Sequence, residues 1–421
     1  MSERTTAHVD LSQLLAESGL TEAELLEQLT AQSRRPTVAD HVESYLKVQT
    51  AGTRRGYATH LNRLVSGYGA VCDQTCEPCL GDGGDQPFTC RCTCRACVTS
   101  QIRIEPRSSD VVGTSIYTTE VVQQLAAVAK RLAIKRGIVH NRVRGAKGLP
   151  AKSADGIGAE ENAMAALRSL FDSALSYTDG VNAAHAVKKP RRNTRERRPM
   201  QEFELLELCH LTSTSGNDTF LDELIVDFGI ATGSRREGVH LLTVGQLHRD
   251  TQIIDLFDKY KRRQPAPVSR ELIDRLIDHA VQRGGQVCNP DSDKYRPDSK
   301  VFYYQPTANG QVRPLTSRRF DNLSQRWQTS LPWAGDEQLG FHHLRHTMAA
   351  YLESHFGAQY KKRYLRHADG SATDGYGICT FDELARAMTH LLDFEHPLVH
   401  GINERRQETL DRFGISAGKV D

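Results

Sequence analysis

Residues 341–347 read Phe341-His342-His343-Leu344-Arg345-His346-Thr347 and lead into the small-residue run Met348-Ala349-Ala350-Tyr351-Leu352. Three histidines and an arginine share one turn of a predicted helix. His342 and Arg345 stand at i and i+3 and therefore share a face. The histidines prompt a zinc reading. His-His-Leu-Arg-His, however, lacks the carboxylate of a His-Glu-x-x-His site, and an arginine on the same face repels a cation.

Three further islands surround this one. Upstream, Ala231-Thr232-Gly233-Ser234-Arg235-Arg236-Glu237 places a glycine turn between an apolar helix and a following run with Val239 and Leu242. Asp258-Lys259-Tyr260-Lys261-Arg262-Arg263 follows the predicted strand 253–257 and precedes Pro265 and Pro267, which suggests the basic turn of a hairpin. Downstream, Leu365-Arg366-His367 is followed by Thr373 and Tyr376, with glycines at 370, 375 and 377. Each alone has an ordinary reading: an arginine solvating a helix start, a basic turn decorating the surface, a tyrosine in a loop.

In order, Arg235, Lys259, His342-x-x-Arg345, His367 and Tyr376 resemble the catalytic signature of the tyrosine recombinase (phage integrase) family. Thr232-Gly233-Ser234-Arg235 matches its glycine-arginine box, His342 to Thr347 its H-x-L-R-H-T box, and Leu365, His367, Thr373 and Tyr376 its last box. The match spans about 180 residues from Met200 onward. Three departures stand out. Gly238 occupies the place where an acid often follows the first arginine, with Glu237 one position early; Arg366 replaces the usual glycine before His367; and a cysteine-rich insertion is not a general family feature.

The resemblance implies a mainly α fold with a small β-sheet: a helical N-terminal core-binding domain joined by an exposed linker to a mixed α/β catalytic domain, closing on DNA as a clamp. It also implies roles. Tyr376 would be the nucleophile, and its phenol, with an ordinary pKa of about 10, needs nearby cations to favour the phenolate. Arg235 and Arg345 present planar forks that match phosphate oxygens bidentately. Lys259 would protonate the departing 5′-oxygen, His342 would assist proton transfer at the tyrosine, and His367 would hydrogen-bond a non-bridging oxygen. Cleavage would leave a 3′-phosphotyrosyl link and need no catalytic cofactor.

The remainder of the chain is organised around this block. Residues 1–35 read as a small helical arm, 36–186 as the core-binding domain, 187–199 as a basic linker, 200–379 as the catalytic domain and 380–421 as a C-terminal tail with a short amphipathic helix in Phe-Asp-Glu-Leu-Ala-Arg-Ala-Met-Thr-His-Leu-Leu. Helical faces are expected from Val38, Val42, Tyr45 and Leu46, from Tyr57, Leu61 and Leu64, from Val121, Leu125, Val128 and Leu132, and from Met164, Leu167, Phe171 and Leu175. Strands are expected at 253–257 and 301–304. The linker holds two prolines, seven Lys or Arg residues and almost nothing apolar. Candidate phosphate contacts are Arg54, Arg55, Lys188, Lys189, Arg191, Arg192, Arg197 and Arg198.

Seven of the ten cysteines fall between Cys72 and Cys97. The two C-x2-C pairs, Cys76/Cys79 and Cys94/Cys97, predict a structural zinc site of four thiolates, with Cys72, Cys90 and Cys92 as further possible ligands and a second metal using His60 left open.

The 421 residues carry 54 basic and 52 acidic side chains, with 38% hydrophobic residues and no apolar run long enough for a membrane span. With no visible secretory signal, the chain reads as a cytoplasmic, nucleoid-associated protein of a bacterium or phage, with no membrane partner. The leading expectation is a recombinase that integrates or excises a mobile element, acting on double-stranded attachment sites as a homotetramer on synapsed DNA, with directionality or host factors as further partners. The alternatives are a type IB topoisomerase-like enzyme and a catalytically silent, zinc-containing DNA-binding protein.

Overall fold

The computed structural model describes residues 21, 35–80, 86–191, 198–257, 262–366 and 378–399. The arm helices expected within 11–30 lie outside them. The chain divides into two units, Met1–Lys147 with Ala151–Thr194, and Gly148–Pro150 with Arg195–Asp421.

In the first unit, α1 (Val38–Val48) begins where the Thr37 side chain accepts the Asp40 N–H, an N-cap that satisfies one orphan donor. It buries Val38, Val42 and Tyr45, and α2 (Ala51–Ser66) buries Leu61 and Leu64. The cysteine segment follows, bracketed by an antiparallel pair: β1 (Tyr68–Val71), then α3 (Glu77–Leu80) and α4 (Arg95–Ser100), then β2 (Ile102–Ile104), with Tyr68 opposite Ile104 and Val71 opposite Ile102. The helical reading of this half did not include this ribbon; it closes the base of the insertion. α5 (Thr119–Gly145) and α6 (Ile157–Asp172) complete the core, and α7 (Ala183–Ala186) ends the unit. Tyr117 stacks on Phe171 at 4.1 Å, and the buried His41 joins the Tyr117 and Ser173 hydroxyls at 2.8 and 3.0 Å. α6 stops at Asp172, so Leu175 leaves the expected apolar face and is 37% exposed.

The second unit runs α8 (Glu202–Thr214), α9 (Thr219–Thr232), α10 (Arg236–Leu241), then a three-stranded antiparallel sheet β3 (Leu247–His248), β4 (Ile253–Phe257) and β5 (Arg263–Pro267) in that order. It continues with α11 (Arg270–Gly284), α12 (Ser317–Ser330), α13 (Pro332–Asp336), α14 (His342–Phe356), α15 (Ala358–Leu365) and α16 (Phe381–Leu392). The β4–β5 hairpin is the one expected around Lys259. Residues 301–304 are not a strand. Val301, Phe302 and Tyr303 are buried consecutively, and the backbone bonds to two separate segments, Val301 N–H to Leu242 O and Leu315 N–H to Phe302 O. A segment held on both sides by irregular chain cannot extend a ladder, so only isolated bridges form.

Buried ion pairs tie the unit together: Arg283 with Asp218, and Arg319 and Arg326 with the fully buried Asp222. The tail helix α16 is capped reciprocally by Thr380 and Glu383, and its Leu384, Ala387 and Met388 pack with Met348, Leu352, Tyr364 and Leu365 of the same unit. Among the described residues no helix is long and apolar enough to cross a membrane.

Candidate functional site

The site begins at the end of α9. Gly233 caps this helix in the left-handed region, at φ 60°, where glycine carries no Cβ penalty. Space also requires glycine there, because a Cβ would stand 2.6 Å from the Tyr364 ring. One turn earlier, a Cβ on Gly229 would come within 2.8 Å of the Phe341 ring, so that glycine lets α14 lie close on α9. Phe341 packs edge-on against Phe320, with ring centroids 4.8 Å apart, which fixes the first turn of α14 and with it His342 and Arg345.

Arg345 is only 3% exposed and donates to two backbone carbonyls, Gly233 O and Leu365 O. One guanidinium therefore joins the ends of α9 and α15. Burial pushes its pKa down to about 9, helped by the neighbouring cations Arg366 and Arg235. It stays protonated at neutral pH. Arg366, half-buried, donates to Thr232 O at 2.7 Å and Gly233 O at 3.1 Å, and burial lowers its pKa to about 10. Arg235 is exposed, and among the described residues no carboxylate pairs with it. The next residue, Arg236, is engaged instead: its Nη1 lies 2.7 Å from Asp321, and its guanidinium covers Phe320. Glu237 is exposed and Gly238 lies against Ser234, so the acid expected to support the first arginine does not take that place.

Two guanidiniums thus meet at the Gly233 carbonyl, with Arg235 near enough to act on both, and the groups that perturb Arg345 are two cations and the Tyr364 phenol. Like charges brought together in this way repel, and an anion placed among them relieves the repulsion. Tyr364 itself is unsuited to attack. It is 2% exposed, donates its hydroxyl to Ile230 O at 2.7 Å, and burial pushes its pKa up.

The three histidines of the central stretch separate. His343 is buried, its Nδ1 against the Gly340 backbone; His342 and His346 are half-buried with rings edge to face at 4.5 Å. Thr347 accepts the Met200 N–H at 3.0 Å, and Tyr351 donates to Met200 O at 2.9 Å. This pair anchors the start of the unit on α14.

Of the six expected catalytic residues, Arg235, His342 and Arg345 are described; Lys259, His367 and Tyr376 lie outside the described residues. Lys259 is one of the four residues 258–261 outside the described ones between β4 and β5, and His367 directly follows Arg366. Arg366 is the residue the sequence reading undervalued. It adopts φ 53°, the left-handed cap that explains the family's glycine, and it adds a third cation. Its signal was visible as an arginine standing where glycine is usual.

The candidate DNA contacts divide. Arg54 donates to Leu46 O, Lys47 O and Gln49 O at 2.8, 2.9 and 3.2 Å, capping the C-terminus of α1. Arg198 holds the buried Glu204 bidentately at 2.6 and 2.7 Å, and Lys189 pairs with Glu161 at 3.0 Å. Arg55, Lys188 and Arg191 are exposed; Arg192 and Arg197 lie outside the described residues.

The cysteines regroup as well. The four thiols that converge within 4.8 Å and are buried are Cys72, Cys79, Cys90 and Cys97, not the two C-x2-C pairs; Cys76 and Cys94 are exposed. Cys79 Sγ lies 3.3, 3.9 and 3.2 Å from the sulfurs of Cys72, Cys90 and Cys97. A tetrahedron with Zn–S bonds near 2.3 Å has edges of about 3.8 Å, so the donor set fits a zinc ion. The grouping has a physical cause. The β1–β2 pairing draws Cys72 and Cys90 inward, with the Cys90 N–H bonded to Ala70 O. His60 is not part of the cluster; it is buried, and burial with Arg63 and Arg136 lowers its pKa to about 4.

The sequence model of the Phage integrase family matches residues 198–380. No curated protein matches the chain. Among solved structures, the chain is similar to the integrase of the transposon Tn1549 in complex with transposon right end DNA, at 16% identity over 85% of this chain and 100% of that one, with a TM-score of 0.48. It is also similar to a lambda integrase tetramer bound to a Holliday junction, at 12% identity over 86% of this chain and 83% of that one, with a TM-score of 0.43.

Proposed function

With a phage integrase family domain over residues 198–380 as the premise, we propose that the protein is a site-specific tyrosine recombinase that breaks and rejoins DNA to integrate or excise a mobile element. The observation that carries this reading is the guanidinium cluster of Arg235, Arg345 and Arg366, two of its members oriented by backbone carbonyls. Such a cluster suits a phosphodiester whose charge grows on the non-bridging oxygens as it is attacked, and pre-oriented donors of this kind typically contribute about 10²–10³ in rate each.

The chemistry follows from the residues. The Tyr376 oxygen attacks phosphorus, and the bond to the 5′-oxygen breaks. Lys259 delivers a proton to that oxygen, while Arg235 and Arg345 hold the two non-bridging oxygens. His342 takes the phenol proton, and His367 hydrogen-bonds the phosphoryl group. The product is a 3′-phosphotyrosyl enzyme, whose ester bond retains the energy of the one broken. A 5′-hydroxyl of a second duplex then attacks the phosphorus and returns the proton to the tyrosine oxygen, so strands exchange with no external energy source. Attachment-site DNA is the partner, bound by a homotetramer, with Arg55, Lys188 and Arg191 as phosphate contacts. A zinc ion held by Cys72, Cys79, Cys90 and Cys97 would staple the insertion, with no part in the chemistry.

Covalent trapping tests this reading. The full chain is incubated, in magnesium-free buffer, with nicked duplexes from the DNA flanking its own gene, beside Tyr376→Phe. Adducts that resist SDS with the native chain and vanish in the variant are expected. Adducts that form but religate only their own strand, never a second duplex, would indicate a topoisomerase. Tight binding to those duplexes without any adduct would indicate an inert DNA-binding protein.

A further inference from the structure

The cysteine segment holds more sulfur than one ion uses. Besides the buried quartet, Cys92, Cys94 and Cys97 form a second group with all three ligand atoms within 4.8 Å of one another. Cys97 belongs to both groups: its sulfur lies 3.2 Å from that of Cys79, and its backbone N–H donates to Cys94 Sγ at 3.4 Å. The seventh thiol, Cys76, is exposed and belongs to neither group. Six thiolates with one shared between two ions supply four positions of one tetrahedral site and three of a second, whose fourth position is open to water. None of the ten cysteines is in a disulfide.

A second observation points the same way. Lys135 of α5 is 1% exposed, and its ammonium donates to Gln74 O at 2.6 Å, Cys79 O at 2.8 Å and Cys72 Sγ at 3.5 Å. Among the described residues no carboxylate pairs with it. Burying an ammonium against neutral groups alone is strongly unfavourable. Thiolates supply the missing negative charge: four around one divalent ion, or six around two, leave a net charge of −2. Arg131, one turn earlier on α5, donates to Val71 O and Ser100 O at the two edges of the same segment. The helix therefore presents two cations to the cluster.

We propose that this segment binds two zinc-type divalent ions as a binuclear thiolate cluster bridged by Cys97, with Cys72, Cys79 and Cys90 completing the inner ion and Cys92 and Cys94 holding the outer one beside a water. Six thiol protons are released as the two ions bind, so affinity falls with decreasing pH. Zinc is the first-row ion whose preference for sulfur and for tetrahedral geometry matches this donor set. The proposal rests on the cysteines and Lys135 alone and stands or falls independently of the DNA chemistry.

Native mass spectrometry of the full chain, purified under reducing conditions with zinc, reads the ion count directly. Two ions per chain are expected. The double variant Cys92→Ser/Cys94→Ser should retain one, and Cys97→Ser should lose occupancy at both sites. Reconstitution of the native chain with cadmium-113 should give two resonances, one in the tetrathiolate range and one in the range of three thiolates with an oxygen ligand, coupled through the shared sulfur. One ion per chain, unchanged in Cys92→Ser/Cys94→Ser, would overturn the second site. Two ions with uncoupled cadmium resonances would overturn the bridge. The cadmium spectrum of the native chain keeps the test decisive if a serine variant fails to fold.

Discussion

The two clusters are mirror images in charge. In the second unit, Arg235, Arg345 and Arg366 gather cations that call for an anion; in the first, the cysteines gather sulfur that calls for a cation. They differ in what holds them. Arg345 and Arg366 donate to carbonyls at the ends of α9 and α15, helices of 14 and 8 residues packed in the unit's core. That framework exists before any ligand arrives, which is what electrostatic catalysis needs. Cys79 and Cys97 sit on helices of 4 and 6 residues, the other five cysteines of the segment lie in irregular chain between the two short strands, and their own buried cluster is made of cysteines alone. Elements so short gain little from burial, so the proposed ions would do the folding. A binding site is prepared in one case and, on that proposal, is created by its ligand in the other.

The largest effect that would break this contrast is metal removal. Stripping the ions with a strong membrane-permeant chelator is expected to expose residues 72–101 to limited proteolysis while 262–366 stay protected. Structural zinc binding is on the order of 10 kcal/mol or more. Equal protection in both segments with and without metal would show that the insertion folds by itself. Next in size is Arg345→Lys, which keeps a charge but loses the fork. Single-turnover adduct formation should fall by about 10²–10³ with DNA binding largely retained. A tenfold or smaller loss would show that the fork is not used.

A third expectation concerns pH and the core beneath the arginines. His279 is fully buried, accepts the Tyr303 N–H on Nε2 at 3.3 Å, and burial with Arg283 lowers its pKa to about 4 from an ordinary 6.5. Above pH 6.5 the ring is neutral folded or unfolded. As pH falls from 6.5 towards 4, the unfolded chain takes up a proton that the folded chain refuses, so stability is lost across that window. The loss between pH 7.5 and 5 is about 2 kcal/mol, read from urea unfolding of the second unit's transition. His279→Gln should flatten that slope; an unchanged slope would remove His279 as its source. The smallest effect is expected for Arg366→Gly. Relief of the left-handed backbone, about 1 kcal/mol, opposes the loss of two hydrogen bonds to Thr232 O and Gly233 O. Thermal stability should stay within a few degrees, while affinity for phosphodiester DNA drops by several-fold.

Much of this was legible beforehand because the signals were local. A period of 3.6 marks α1, α2, α5 and α6, and the run 253–257 followed by basic residues and prolines marks the hairpin. What local pattern leaves out has one cause. Residues 301–304 look like a strand by composition, but a strand needs a partner, and the neighbouring chain provides only single bridges. Arg54 and Arg198 are candidate DNA contacts by charge, and within the protein one also caps α1 and the other holds Glu204. Sequence gives the sign of a charge and is silent about which oxygen it meets.

The sequence by itself determined the order of the chemical groups: arginine, hairpin lysine, histidine-arginine turn, histidine and tyrosine, and a knot of seven cysteines, since residue type and spacing are properties of the chain. Only the tertiary structure decided which of them meet. It made Arg366 a third cation, because a left-handed cap turns its guanidinium back onto Thr232 and Gly233. It gathered Cys72, Cys79, Cys90 and Cys97 into one buried group, because the β1–β2 ribbon brings residues about thirty positions apart side by side. Contacts between distant residues follow from the packing of whole elements, and no local pattern encodes them.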